Sequence, residues 1–230
     1  MGDPVRVMIE MGRKKPVAVA SAFDWPGWDR SGKGEEDALR VLEIYRPRYA
    51  PVAALAGLAD EFARAGDPNV VERIEGIGMT DFYGLSMKPA GPEKEQMTDA
   101  ECERKIALLR GCWTYFDAVA SRVSAELRKG PRGGGRDRDR IIQHVNANEV
   151  GDFSRKVGVT APDDAWQDPA ALKAYREEFA AKIREANARG PEARNWTVQF
   201  VIRHYAYHVM DHAWEMEDRD LSGAAWVTSG

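Results

Sequence analysis

The spacing of apolar positions changes twice along this chain. From Pro4 to Met11 it alternates, with Val5, Val7 and Ile9 on one side, and it alternates again from Pro16 to Phe23 through Val17 and Val19. A period of two across a Gly12-Arg13-Lys14-Lys15 turn predicts a β-hairpin. Turn residues Asp24-Trp25-Pro26-Gly27-Trp28 follow. From Glu35 the period becomes helical through Ala38, Leu39, Leu42 and Tyr45. Pro47 and Pro51 break it, and a second helix is expected over Val52–Ala65. Gly66-Asp67-Pro68-Asn69 stops that helix, and Val70–Ile77 predicts a third strand. Residues 1–80 therefore form a small β-β-α-α-β unit, with Trp25 and Trp28 expected to pack.

Residues 81–96, rich in glycine and proline, are expected to be a linker crossing the surface. Thr98 with Glu101 forms a capping box. It opens a helix whose stripe is Ile106, Leu109, Trp113, Phe116, Ala120, Val123 and Leu127. Gly130, Pro131 and Gly133–Gly135 end it, and Asp137 or Asp139 is placed to cap a second helix carrying Ile141, His144, Val145, Asn148 and Phe153 as far as Gly158. Asp168-Pro169 starts a third, with Leu172, Tyr175, Phe179 and Ile183 inward. Asn195 is expected to cap a fourth. Four amphipathic helices over 97–221 predict a four-helix bundle. The fold class is therefore α+β and mostly helical, with a loose tail at 222–230.

The fourth helix carries the chemistry. The chain has four histidines, and His204, His208 and His212 stand four apart in it. Residues i and i+4 share a helical face, and His208 and His212 fall on the apolar stripe with Val201, Tyr205 and Met216. His144 lies in another inward stripe. A lone histidine on such a stripe is usually a packed side chain with its hydrogen bonds satisfied. Several rings brought together can instead share one cation. His144, His208 and His212 are the candidate ligands. His204, on the flank, is expected to stand behind them or in solvent.

Composition narrows the partners. The chain has 230 residues, 43% hydrophobic and 30% charged, with a net charge of -4, which argues against non-specific nucleic-acid binding. No apolar run approaches membrane-spanning length, and the first fifteen residues lack a signal-peptide pattern. Cys102 and Cys112 sit ten apart in one predicted helix, too far to bridge and not spaced as a zinc pair. A reducing cytoplasm is the expected compartment.

Two resemblances add expectations. The hairpin, the DWPGW turn and the helix opening at EEDAL resemble the small HicB-type antitoxin domain. No DNA-binding segment accompanies it, and that function is not transferred. The C-terminal two-thirds resembles the DinB-like (DinB/YfiT-type) metal-binding four-helix bundles. The likeness rests on His144 in QHVNANE and on the H-x-x-x-H pair His208 and His212 about sixty residues later. Many members follow that pair with Arg-Gly-Gln, where this chain has Ala213-Trp214-Glu215.

The resemblance implies a divalent metal on His144, His208 and His212, Zn or Ni first. It further implies a metal-dependent enzyme, either a transferase or isomerase using a low-molecular-weight thiol or a hydrolase, in a homodimer. Glu149 is the candidate proton-handling group, with a surface carboxylate as its plain alternative. Asp211 or Glu215 is placed to orient a ligating ring. Arg132 and Arg136, in the loop about 10 Å from His144 by helix rise, are candidates for binding an anionic small-molecule substrate. The competing reading of those arginines is a solvated turn paired with Asp137 and Asp139. The competing reading of the whole chain is a non-catalytic scaffold that binds a partner.

Overall fold

The structure is a computed structural model that describes residues 2–130, 133–162 and 164–223. The chain is mixed α+β and mostly helical. Its order is β1 (Val5–Met11), β2 (Ala18–Ser21), β3 (Asp29–Gly32), α1 (Glu35–Ile44), α2 (Arg46–Leu55), α3 (Ala59–Arg64), β4 (Pro68–Glu75) and α4 (Gly78–Tyr83). After a short 3₁₀ turn at Gly91–Lys94 come α5 (Asp99–Arg122), α6 (Arg138–Asn148), a π turn (Glu149–Phe153), α7 (Ser154–Val157), a second 3₁₀ turn (Ala165–Gln167) and α8 (Pro169–Arg189). The pair β5 (Glu192–Ala193) and β6 (Trp196–Thr197) leads into α9 (Val198–Asp218).

The expected hairpin is present, with β1 antiparallel to β2. The third expected strand is β4, which runs parallel to β1, so the sheet order is β3-β2-β1-β4. Strand β3 was not foreseen, because Asp-Arg-Ser-Gly has no strand propensity. It pairs with β2, and Asp29 is fully buried through a partner far along the chain. The helix expected at Val52–Ala65 is two helices, α2 and α3. Pro47 sits in the first turn of α2, where its missing N–H costs nothing.

Trp25 and Trp28 pack as expected. The Trp28 ring stacks on Tyr49 and meets Phe62 edge-on, and its Nε1 donates to the Leu42 carbonyl at 2.9 Å. This aromatic cluster lies in one contiguous core that runs from Val5 on β1 to Met216 on α9. Gly27, at φ 95°, belongs to the same seam. A Cβ there would lie 2.9 Å from Met210 and 3.1 Å from Cys112.

The capping box at Thr98 and Glu101 forms as expected, and so does the Asp168 cap ahead of Pro169. Asp137 occupies the position before α6 but does not cap it. Its carboxylate accepts the Leu127 N–H at 3.1 Å and pairs with Lys129. Thr197, not Asn195, caps α9, because β5 and β6 turn the chain first.

The stretch 81–96 runs partly along the surface, with Phe82 and Tyr83 exposed, but it is not only a connector. It holds the end of α4 and a 3₁₀ turn, and it buries Ser86, Ala90 and Glu93. Its purpose is visible at Arg203 of α9, which is fully buried. Arg203 Nη1 donates to Asp29 at 2.9 Å and to Ser86 Oγ at 3.0 Å, while Nε and Nη2 reach the Glu93 carboxylate at 2.8 and 3.0 Å. One guanidinium thus joins the sheet, the connecting segment and α9. Most of the tail expected to be loose, 224–230, lies outside the described residues, as does Arg132.

Candidate metal centre

Helices α6 and α9 pack against each other, and α9 also lies along α5 and α8. The apolar stripe of α9 sets its rotation. Val201, Tyr205 and Met216 are fully buried, so His208 and His212 on the same stripe must face the neighbouring helices. The neighbour at that height is α6, where buried Ile141 and Val145 turn His144 toward α9.

The result is a half-buried group. Ligand-capable atoms of His144, His208 and His212 all lie within 4.8 Å of one another. Nε2 of His144 is 3.3 Å from Nε2 of His208. Two nitrogens bound tetrahedrally to one ion at about 2.0–2.1 Å stand about 3.3–3.4 Å apart, so this pair already has the right edge length. The ring planes of His144 and His208 both stand nearly perpendicular to that of His212, with centroids 4.9 Å away.

The surroundings fix the rings. His212 Nδ1 lies 2.8 Å from Glu215, whose other oxygen takes Arg219 at 2.6 Å. Glu215 therefore orients His212 and leaves its Nε2 toward the group. Asp211, the other candidate, is drawn away by Arg30 at 2.5 Å. Asn148, one turn beyond His144, places Nδ2 3.2 Å from its Nδ1 and donates to its carbonyl at 2.7 Å. The i,i+4 rule that picked out the histidines also points to Asn148. His208 Nδ1 is buried with no hydrogen-bond partner among the described residues. Its other nitrogen meets only another imidazole, so the protein leaves this ring underserved.

Electrostatics favour the neutral form of two of the rings. Burial pushes the His208 ring well below its usual range, and the neighbouring His212 and His144 add to the effect. The His144 ring is lowered by burial, then by His212 and by the charge of Arg136. Neutral rings present lone pairs, which is the form a cation requires. The hydrogen bond from His212, followed by Arg219, holds the Glu215 carboxyl below its usual range.

The remaining candidates are placed as follows. Arg136 is exposed and lines a shallow depression of about 570 Å³ together with Asp137, Arg140, Gln143, His144 and Asn148. The solvated-turn reading holds for Arg138, which pairs with Asp139, but Arg136 has no carboxylate partner among the described residues. Glu149 is not brought to the histidines. It is fully buried in the π turn, and Arg176 of α8 grips both its oxygens at 3.1 and 3.2 Å, with Asp117 on the far side. Its position about 140° around an ideal helix from His144 already pointed elsewhere. His204 stands apart too. It packs among Trp196, Phe200 and Phe153, with Nδ1 3.1 Å from the Ser86 carbonyl.

No family model, no curated protein and no solved structure matches this chain.

Proposed function

We propose that His144, His208 and His212 hold a divalent transition metal, Zn or Ni first, and that the protein is a metal-dependent enzyme. The observation that supports this most is the convergence of three imidazoles from two helices, with the His144 and His208 nitrogens at the separation one ion needs. We read the four long helical segments, α5, α6 with α7, α8 and α9, as a DinB-like bundle. That reading makes a thiol-dependent transferase or isomerase the first reaction class and a hydrolase the second.

His144, His208 and His212 would hold the ion, which when bound would supply Lewis acidity toward a water or a substrate carbonyl. The chain's own groups supply the rest. Glu215 holds the His212 tautomer, and Asn148 sets the pitch of His144. Phe153 stacks on Tyr205 and walls the group from the interior. Arg136 and Arg140, in the depression that reaches His144, are suited to a carboxylate on the substrate or on the thiol. Glu149, locked to Arg176, has no part in proton transfer in this proposal.

The test begins with elemental analysis of the purified protein, followed by Co(II) titration. A stoichiometric ion, visible d–d bands and a metal-dependent rise in Tm are expected, and all are lost in His208→Ala. A protein that takes up no metal and melts identically with chelator would leave the non-catalytic scaffold as the better reading.

A further inference from the structure

A cavity of about 620 Å³ opens between α5, α6 and α8, the size of a small-molecule site. Its walls are largely apolar. Trp113 and Phe116 come from α5, Ile142 from α6, Trp166 from the second 3₁₀ turn and Leu172 from α8. Ile142 and Asn146 lie two positions to either side of His144, and residues two apart do not share a helical face. No histidine lines this cavity, so it is separate from the candidate metal centre.

The polar groups on the wall decide what the cavity suits. Its carboxylates are engaged already. Asp117 accepts from Arg176 Nη1 at 2.7 Å, and Glu177 accepts from Arg110 Nη2. Arg176 is engaged as well, because its other nitrogens hold Glu149. The Thr114 hydroxyl donates to the Arg110 carbonyl at 2.9 Å. The groups left over are chiefly donors. Trp113 is only 3% exposed, and its Nε1 meets no acceptor among the described residues; the same holds for the buried Nε of Arg110. Indole and guanidinium donate only. The two residues are three positions apart on α5, which puts them on one face about a turn from each other. Lys173, exposed on the same wall, makes no ion pair among the described residues. The Asn146 amide serves as donor or acceptor by turning over. Water entering the cavity can serve these donors, so they do not by themselves demand a ligand. The preference for an anion comes from a cation that is unpaired beside carboxylates that are not.

We propose that this cavity binds a small aromatic carboxylate. The ring lies against the indoles of Trp113 and Trp166, where contacts between rings add to the gain from burying apolar area. One carboxylate oxygen accepts from Arg110 Nε and the other from Trp113 Nε1, and the Lys173 ammonium balances the charge. Such charge-assisted bonds are about twice as strong as those to a neutral acceptor. An uncharged compound of the same shape fills the same walls but leaves Lys173 unbalanced.

The experiment uses the full chain, treated with chelator so that no metal at the histidines competes for a carboxylate. Cinnamate is the probe, titrated by calorimetry. Saturable binding of one equivalent is expected, with cinnamyl alcohol about tenfold weaker or more and hexanoate weaker than cinnamate. Trp113→Phe keeps a ring and removes one donor, and it should weaken cinnamate about tenfold. Should that variant fail to fold, Lys173→Glu supplies the second arm. Its side chain is exposed, circular dichroism should be unchanged, and cinnamate should bind about three- to tenfold more weakly. His208→Ala and Arg136→Gln should bind cinnamate as the parent does. An absence of saturable binding, equal affinity in Lys173→Glu, or a loss of affinity in His208→Ala or Arg136→Gln would overturn the proposal. Equal binding of cinnamyl alcohol would overturn the anionic class, and equal binding of hexanoate the aromatic one.

Discussion

Replacing Arg203 by Met tests whether the sheet and the long helices are held as one cooperative body. Arg203, Asp29 and Glu93 are each fully buried and are joined by five hydrogen bonds or ion contacts with Ser21 and Ser86. Methionine keeps much of the volume but strands two carboxylates, and breaking a buried pair this way costs about 3–5 kcal/mol. At about 2–4 °C per kcal/mol for a chain of this size, Tm should fall by about 10 °C in a single transition. The loss should also depend on pH. Burial already raises the Asp29 carboxyl above its usual value, against the pull of Arg203. Without Arg203 its folded-state pKa rises further above the unfolded one. A raised group contributes stability below its unfolded pKa and loses it as pH rises through the folded value, so the variant should regain part of its deficit between neutral pH and about pH 4. The triple variant Arg203→Met, Asp29→Asn, Glu93→Gln should recover most of it at pH 7. Urea unfolding followed by circular dichroism, from pH 4 to 8, measures all of this. A deficit under about 1 kcal/mol, or one that is equal at every pH, would refute the reasoning.

Other expectations follow from the same geometry. Glu215→Gln should weaken metal binding by about 10- to 100-fold, measured by competition with a chromophoric chelator. Asn148→Asp supplies an acceptor for His144 Nδ1–H and so favours the tautomer with a free Nε2; it should tighten binding by about tenfold, and unchanged or weaker binding would count against Asn148 as a partner of that ring. Burial pushes His204 down to about 4, so the unfolded chain takes a proton that the folded one refuses below about 6.5. Stability should therefore fall as pH drops from about 6.5 toward 4, and His204→Gln should flatten that part of the curve in thermal melts. In Gly111→Ala the new Cβ meets the Val52 carbonyl at 2.8 Å, where α2 crosses α5; a loss of about 1–3 kcal/mol is expected in urea.

Some of this was written plainly in the sequence and some was not. Periodicity placed the hairpin, α5, α8 and α9, because each buries one regular stripe. Thr98 and Asp168 announced their helices by local chemistry alone. The three histidines were legible for the same reason, since spacing on α9 and an inward position on α6 are local facts. What stayed hidden depends on distant partners. Strand β3 holds Asp29 inside the core only because Arg203 arrives from 174 positions away. Residues 81–96 read as a linker because they are rich in glycine and proline, and the burial of Glu93 among them has the same distant cause. Glu149 looked available until Arg176 claimed it. The buried Lys105 gave no signal, since nothing local distinguishes a lysine whose two acceptors come from Phe23 and Gln199.

Helix α9 carries Gln199, Arg203, His208 and His212 along a single rod. Each keeps an appointment with a different part of the molecule: Lys105, the sheet, and α6. A slip of one turn along the axis would move every one of them by about 5.4 Å and miss all three at once. The helix therefore acts as a ruler that sets all three distances at once.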